Sequence, residues 1–442
     1  MLLHPYENTN DLLQSVPLPD LVLLRQRFPR PCVADVSESV VTACENAHIA
    51  AKIQPGARIA VGVGSRGVAD IVLVVRTLIA TLRLYGAEPF VIPAMGSHGA
   101  ATPEGQLAIL SGLGITEQSV SAPIISSLEV DVLGTLPNGM PIYIDRAAHA
   151  ADGIIVINRV KPHTDFNAEI ESGLAKMVAL GLGKHAGALE VHAWGVEGLT
   201  THMPEVAKFV VAHAPILCGL AIVENAYDEV AGIEAILPEG IGNEPERILL
   251  QRAKSMMPRL PWDTLDVLVI DEMGKNISGA GIDPNIIGRL RSSDQHKPAA
   301  SRITNITVHD LTDASHGNAI GLGNADFTTA RLLNKLDLQS LYINTLTAGV
   351  IAINSCKIPM ILPTDRAAVM AAIRTSGHAD LKQVRLARIE NTLRLEYILA
   401  STNSLGYLRP GSDIEVLGSP LSFCIEPDGS LIPFATILAA QV

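Results

Sequence analysis

The chain has 442 residues, more than one ordinary domain, and its composition of 48% hydrophobic and 4% aromatic residues predicts two domains of the α/β class. Its net charge of −12 argues against a nucleic-acid partner, because binding a phosphate backbone requires a basic face. The five cysteines form no C-x-x-C pair, so we expect reduced thiols in a cytoplasmic protein. No secretory signal or membrane-spanning stretch is recognisable, so we expect no membrane partner.

The first regular pattern predicts a strand, a helix and a second strand. Their sequences are RIAVGVGS, GVADIVLVVRTLIATLRLYG and EPFVIPA, starting at residue 58. A βαβ unit implies a parallel sheet. Both strands end in glycine-rich loops, GVGSRG and AMGSHGAATPEG. Since ligands bind at the carboxyl ends of parallel strands, these two loops predict a binding crevice.

A third apolar run, GIIVINRV, predicts another buried strand, and the polar segment KPHTDFNAEIESGLAK follows it. If this strand joins the same sheet, three polar loops converge on one edge. Later patterns predict further helices and strands, with a boundary near residue 265. The predicted domains are therefore 1–264 and 265–442, each of α/β type with parallel or mixed sheets. The last 40 residues look like short strands and turns, and their packing back on the first domain stays open.

Several side chains in these loops are candidates for chemistry. His98 lies between glycines, where the backbone can approach a ligand, but an ordinary surface histidine is an equal alternative. Thr102, followed by Pro103, predicts a helix N-cap beside the crevice. Arg66 can hold a carboxylate or phosphate through two parallel hydrogen bonds, whereas the alternative is a surface salt bridge.

The polar segment adds two more candidates. His163 can act as a general base if Asp165 orients its ring, although Asp165 can equally cap the next helix. Lys176 lies among apolar neighbours and is either a surface lysine or a partly buried nucleophile with a depressed pKa. His185 and His192 follow, and their surroundings match no zinc motif.

Taken in order, the loops SRGVAD, MGSHGAATPEG, KPH, SGLAK and EVH resemble the nickel-dependent lactate racemase family. The family has a histidine sixteen residues after a lysine, and Lys176 and His192 are also sixteen apart. In the second part, SGAGIDPNIIGRLR is similar to another family segment, in which Asp283 and Asn285 match and Arg291 replaces a substrate-binding lysine. The resemblance implies two α/β domains with the active site in the cleft between them.

The resemblance also implies a cofactor and a role for each loop. The cofactor is a nickel-pincer nucleotide, a pyridinium mononucleotide whose two sulfur-containing arms and one ring carbon hold nickel. Lys176 would join one arm covalently and His192 would bind the nickel. His98 and His163 would be the acid/base pair, and Arg66 and Arg291 would hold the substrate carboxylate. The loops that contain Ser65, Gly96 and Ser97 would also contact the cofactor. The expected function is a racemase or epimerase of a 2-hydroxy acid.

Departures from the family pattern concern the substrate. The segment between His163 and Lys176 is three residues longer than in the family and more polar, with Asp165, Asn167 and Glu169. This favours a larger polar acid, such as a sugar acid, over lactate. Two other functions stay open: a carrier that binds the cofactor without catalysis, and an NAD-dependent dehydrogenase. The incomplete glycine fingerprint disfavours the dehydrogenase.

Overall fold

A computed structural model describes residues 12–290, 300–349 and 352–441. The chain forms two compact units, one of residues Pro29–Met257 and one that combines Met1–Phe28 with Pro258–Val442. Within the described ranges, no helix is long and apolar enough to cross a bilayer.

The secondary structure alternates between strands and helices through most of the chain. The strands are β1 (Leu21–Arg27), β2 (Arg58–Val63), β3 (Glu88–Pro93), β4 (Val130–Thr135), β5 (Pro141–Asp145), β6 (Gly153–Arg159), β7 (Ile216–Glu224), β8 (Val230–Ile236), β9 (Thr264–Met273), β10 (Arg302–Leu311), β11 (Phe327–Thr329), β12 (Met360–Leu362), β13 (Leu386–Ile389), β14 (Tyr397–Ser401) and β15 (Asp413–Leu421). The helices are α1 (Val36–Asn46), α2 (Ile71–Leu84), α3 (Pro103–Gly112), α4 (Glu117–Val120), α5 (Arg146–His149), α6 (Leu174–Lys176), α7 (Lys184–Ala193), α8 (Gly195–Glu197), α9 (Met203–His213), α10 (Glu244–Met256), α11 (Pro284–Ile287), α12 (Ala330–Lys335), α13 (Leu338–Ala348), α14 (Asp365–Arg374) and α15 (Phe434–Gln441).

The unit Pro29–Met257 is built on a sheet with strand order β3-β2-β6-β7-β8. The first four strands run parallel, and β8 pairs antiparallel with β7. The three strands that the sequence predicts for one sheet are therefore neighbours in it. Their polar loops all leave the sheet at its carboxyl edge, as the βαβ pattern requires.

Apolar side chains cover both faces of this sheet. The strand interiors are buried and rich in Val and Ile, which is the pattern of a parallel sheet covered on both sides. Helices α1 and α2 share one hydrophobic core with alternate residues of β2 and β6. On the other face the segment 174–182 packs closely, since a Cβ at Gly219 would lie 2.6 Å from a Leu174 methyl group. Small residues in the strands thus allow this segment to approach the sheet.

The second unit contains a sheet of order β12-β11-β10-β9-β13-β14-β1-β15. Strands β9 to β13 run parallel, while β14, β1 and β15 are antiparallel to their neighbours. The fold class predicted from the sequence, two α/β domains with parallel or mixed sheets, is confirmed.

The division of the chain differs from the predicted one of 1–264 and 265–442. The second unit starts at Pro258 and also includes the N-terminal residues, because β1 pairs with β14 and β15. The last 40 residues belong to this same unit. Their final part, predicted as strand and turn, forms helix α15, whose Phe434 and Ile437 are buried. The pairing partners of β1 are far away in sequence, so local patterns could not show where it belongs.

The loop after β3 depends on a close backbone contact between two glycines. A Cβ on Gly105, in the first turn of α3, would lie 1.9 Å from the Gly99 carbonyl oxygen. We expect Gly105→Ala to lower the free energy of unfolding by about 1–3 kcal/mol, because the backbone must move to relieve the overlap. Gly112, in the last turn of the same helix, has open space and is the control. Gly112→Ala should leave stability unchanged or raise it by up to about 1 kcal/mol. Urea unfolding checks both, and equal effects would contradict the prediction.

Candidate functional site

Three loops meet at the carboxyl edge of the first sheet. Ser65 and Arg66 follow β2, His98 follows β3, and His163 follows β6. Strand β2 lies between β3 and β6, and neighbouring strands are about 4.8 Å apart. The two strands that carry the histidines are therefore about 10 Å apart, with the Arg66 loop between them.

His163 and Lys176 are in direct contact. The distance between Lys176 Nζ and His163 Nε2 is 2.9 Å. The backbone N–H of Asp165 donates to His163 Nδ1 at 3.1 Å. Because a backbone N–H can only donate, Nδ1 keeps its lone pair and the proton of the neutral ring lies on Nε2. Nε2–H then donates to Lys176, which accepts only as a neutral amine.

Burial supports this protonation state of Lys176. Desolvation, followed by the positive charge of Arg66, lowers the pKa of Lys176 to about 8, although Asp165 opposes the shift. A lysine in this condition has a substantial neutral fraction near pH 8, unlike an ordinary surface lysine with a pKa of about 10.4. The sequence left open whether Lys176 is a surface residue, and the structure places it half-buried beside His163.

Two buried carboxylates hold the backbone around this contact. Glu171 accepts a hydrogen bond from the backbone N–H of His163 at 2.6 Å. Glu246, on α10, accepts from the N–H of Ala175 at 3.1 Å and from that of Gly242 at 2.8 Å. The ring of His163 also stacks on Phe166, with 4.3 Å between the ring centroids. Both the imidazole and the turn that bears Lys176 are thereby anchored to the protein interior.

Arg66 lies between the two histidine loops and keeps solvent-exposed surface. Surrounding protein atoms and the charge of Arg159 lower the pKa of Arg66, whereas Asp165 raises it. Arg159 itself is paired with Glu224 at the ends of β6 and β7. Among the described residues, no carboxylate lies within ion-pair distance of the Arg66 guanidinium. The described residues thus contain no salt bridge at Arg66.

His98 is exposed and its Nδ1 forms a hydrogen bond with the hydroxyl group of Ser65. This contact joins the loops after β2 and β3. Gly99, Ala100 and Ala101 follow with positive φ values of 68°, 53° and 51°. Such strain in non-glycine residues is typical of functional sites. The predicted N-cap is also present, since Thr102 Oγ1 accepts from the N–H of Gly105 at 3.0 Å.

His185 and His192 lie seven residues apart on α7, so both fall on one face of the helix. This face meets the loop after β3, because a Cβ at Gly96 would lie 3.4 Å from Ala188 Cβ on the same face. The Nδ1 atoms of both imidazoles are buried, and neither finds a hydrogen-bond partner among the described residues. Desolvation and the nearby charge of Lys176 lower the pKa of His192 to about 4, so its ring is neutral.

Lys184, at the start of α7, fastens this helix to the sheet. Its buried Nζ donates to the carbonyl oxygen of Pro93 at 2.6 Å and lies 2.8 Å from Asp145 Oδ2. Pro93 is the last residue of β3, so this bond holds the base of the His98 loop. Burial lowers the pKa of Lys184, whereas Asp145 raises it. The residue adopts φ 54°, a strained value for lysine.

Clusters of metal-binding side chains and surface cavities are two further features that mark functional sites in proteins. Within the described ranges, no three His, Cys, Asp or Glu side chains form a group that could hold a metal ion. A cavity of about 490 Å³ lies beside the starts of β2 and β3, at the opposite edge of the sheet, and it is lined by residues such as Arg58 and Glu88. None of the predicted site residues lines it. Arg291, predicted to hold the substrate, lies outside the described residues.

Sequence reasoning missed the residues that hold the site in place. Glu171, Glu246 and Lys184 are all buried, and the sequence motifs predict a role for none of them. The signal for Glu246 was present, because it lies one turn before Leu249 and Leu250 on the apolar face of α10. A charged residue on such a face requires a buried partner.

The part of the chain that carries the candidate site is similar to a known protein family. Residues 29–197 match the model of the lactate racemase N-terminal domain. This part of the chain is similar to the N-terminal domain of the lactate racemase family. The match begins where the first compact unit begins, and it contains both histidine loops, Lys176 and His192. Among curated proteins, none is similar enough to the chain to give a match.

The match thus confirms the resemblance inferred from the loops in residues 29–197. Helix α10, with Glu246, lies beyond the matched residues. The second unit is also outside the match, including the segment with Asp283 and Asn285. In the structure Asp283 accepts from the N–H of Asn285 at 2.8 Å and begins α11.

The protonation state of Lys176 can be measured by its reaction with an amine-acylating reagent. Only the neutral amine reacts, so the rate rises with pH through the pKa. We expect a half-maximal rate for Lys176 near pH 8 in the cofactor-free full-length chain. Lys335 is the internal control, because hydrogen bonding to Asp310 raises its pKa above the ordinary value. Peptide mass spectrometry resolves both sites. A midpoint for Lys176 above about pH 10 would contradict the proposed contact.

Proposed function

We propose that this protein is a racemase or epimerase that inverts C2 of a 2-hydroxy acid, with the nickel-pincer nucleotide as its cofactor. One observation supports this most strongly. His98 and His163 follow strands on either side of β2, and Arg66 lies in the β2 loop between them with no carboxylate partner among the described residues. Inversion of a carbon centre needs an acid/base group on each side of the substrate, and a cation to hold the carboxylate.

The two imidazoles are suited to move the hydroxyl proton. One histidine removes the proton from the hydroxyl group as the C2 hydride leaves, which produces a planar 2-keto acid. Return of the hydride to the other face, with a proton from the opposite histidine, gives the inverted product. His163 holds a proton on Nε2 and is thus poised as an acid, while Ser65 orients the ring of His98.

Arg66 is the group that holds the substrate. A guanidinium binds a carboxylate through two parallel hydrogen bonds, which fixes the orientation of the acid between the two rings. The positive charge of Arg66 also makes this edge favourable for an anion. Between proton transfers, the keto acid stays bound through its carboxylate while its carbonyl group turns.

The residues present fit the proposed cofactor. When bound, the nickel-pincer nucleotide supplies the acceptor for the hydride that leaves C2. His192 would bind the nickel, because its neutral, buried Nδ1 has no hydrogen-bond partner among the described residues and an imidazole suits a borderline metal. Lys176 would join an acyl arm, since its neutral amine is the nucleophilic form. Ser65, Gly96 and Ser97, in the loops beside His98, would contact the rest of the cofactor.

Attachment of Lys176 would also change His163. An amide nitrogen does not accept a hydrogen bond, so the Nε2–H of His163 would lose its present acceptor. The ring proton would then be available to the substrate. Covalent loading of Lys176 thus frees the acid that the reaction requires.

The polar segment after β6 favours a substrate larger than lactate. Asp165 and Asn167 lie in this segment next to His163, where the hydroxyl groups of a sugar acid would find acceptors. Glu169, which the sequence also suggested, instead pairs with Arg247 at 3.1 Å. The proposed partner is therefore a small hydroxylated acid.

Racemisation is tested with the full-length protein from a host that makes the cofactor. We expect single enantiomers of 2-hydroxy acids, including sugar acids, to be converted into mixtures, as measured by chiral chromatography. His98→Asn and His163→Asn should each reduce kcat by about 10²–10⁴ fold, because each removes one acid/base group. Both variants should retain the wild-type nickel content.

The outcomes separate the proposed enzyme from its alternatives. A nickel-loaded wild-type protein that converts none of the acids would contradict the racemase proposal and favour a carrier. Reduction of added NAD⁺ to NADH as the acid is oxidised to its keto acid would favour a dehydrogenase.

The nickel ligand is tested by paired variants on α7. His192→Ala should abolish bound nickel, measured by metal analysis of the purified protein, because it removes the proposed ligand. His185→Ala is the matched control, since it removes a second imidazole with an unpartnered Nδ1 from the same helix face. This control should keep at least half of its nickel. Equal loss in both variants would show that the helix, rather than His192, determines nickel binding.

A further inference from the structure

The segment between β6 and α6 contains both His163 and Lys176 but has little regular structure of its own. Its ends are joined by a short antiparallel bridge, in which the N–H of Lys161 donates to the Ser172 carbonyl oxygen at 2.9 Å and the reverse bond measures 3.2 Å. The residues inside this bridge form no helix or strand. Apart from the Asp165 N–H, which bonds to the His163 ring, support for the contact with Lys176 must therefore come from side chains.

Glu171 supplies that support from inside the segment. Its side chain has no exposed surface. One carboxylate oxygen accepts from the His163 N–H at 2.6 Å, and the other accepts from the Ala168 N–H at 3.2 Å. The carboxylate thus replaces the backbone acceptors that a regular element would provide.

Lys254 holds Glu171 in turn. Its Nζ lies 2.6 Å from Glu171 Oε1, and its side chain is partly buried on α10. The same helix contains Glu246, eight residues earlier, which accepts from the N–H of Ala175 beside Lys176. Eight residues of helix span about 12 Å, so α10 supports both Glu171 and the turn at Ala175 that follows it.

We propose that the Lys254–Glu171 pair is a positioning device for His163, which holds its imidazole against Lys176. The consequence for catalysis rests on the proposed function, whereas the effect on Lys176 does not. Lys254 lies outside the part of the chain that matches the lactate racemase N-terminal domain. The longer segment of this protein thus receives its support from a helix that the matched region does not contain.

The decisive variant is Glu171→Gln, because the loss of its charge and the loss of its positioning role change the pKa of Lys176 in opposite directions. Loss of a negative charge would by itself lower the pKa of Lys176. Loss of position removes the Nε2–H donor that stabilises the neutral amine, which raises that pKa. We expect the midpoint of Lys176 acylation to rise from near pH 8 by about one pH unit or more in the cofactor-free full-length chain.

Two further variants complete the experiment. The double variant Glu171→Gln with Lys254→Met replaces the ion pair by uncharged side chains. Because it leaves no buried charge without a partner, it should fold even if the single variant does not. The double variant should show the same rise in the midpoint of Lys176 acylation. Arg247→Gln is the control on the same helix, because its ion pairs with Glu169 and Glu244 are exposed and contribute little. Its Lys176 midpoint should equal that of the wild type.

The outcomes distinguish positioning from a purely structural role. A folded Glu171→Gln variant with an unchanged or lower Lys176 midpoint would overturn the proposal. Failure of both the single and the double variant to fold would also overturn it, since the pair would then serve the fold itself. Because acylation is measured without substrate, a raised midpoint supports the positioning role even if the protein racemises none of the acids tested. In a nickel-loaded racemase, Glu171→Gln should lower kcat by at least tenfold with a smaller change in KM.

Discussion

Parallel pairing of β3, β2 and β6 is the constraint on which the candidate site depends. Strands that run in the same direction place their carboxyl ends at one edge, so loops from distant parts of the chain meet there. Ser65 and His98 are 33 residues apart and form a hydrogen bond across two of these loops. The central position of β2 also explains why Arg66 lies between the two histidine loops.

Burial determines the protonation states at this edge. Desolvation is the largest cause of the lowered pKa values of Lys176 and His192. Burial removes water from the protonated, charged side chain, which loses more hydration free energy than the neutral form does. The neutral amine and neutral imidazole that result are a nucleophile and a metal ligand. The same residues in a solvated loop would be protonated to a larger extent and less suited to either role.

The charged groups that support the structure are paired with a group of opposite charge, whereas Lys176 and His192 become neutral. Glu171 pairs with the partly buried Lys254, and the buried Lys184 pairs with Asp145. Glu171 also bonds to the backbone of His163 in the loop after β6, and Lys184 to that of Pro93 at the end of β3. These bonds take the place of secondary structure where the chain must stay irregular to present side chains. The strained φ of Lys184 and the close glycine contacts after β3 show that the loops are held tightly.

The sequence by itself determined the fold class, the order of the elements around the site and the loops that carry its candidate residues. Hydrophobic periodicity is local, and so are the glycine-rich loop motifs and the spacing of Lys176 and His192. Only the tertiary structure decided that β1 joins the second sheet, that Glu171, Glu246 and Lys184 are buried supports, and that His163 touches Lys176. Such facts depend on which distant backbone groups pair and on how much water is excluded. Both follow from packing in three dimensions, which no local pattern encodes.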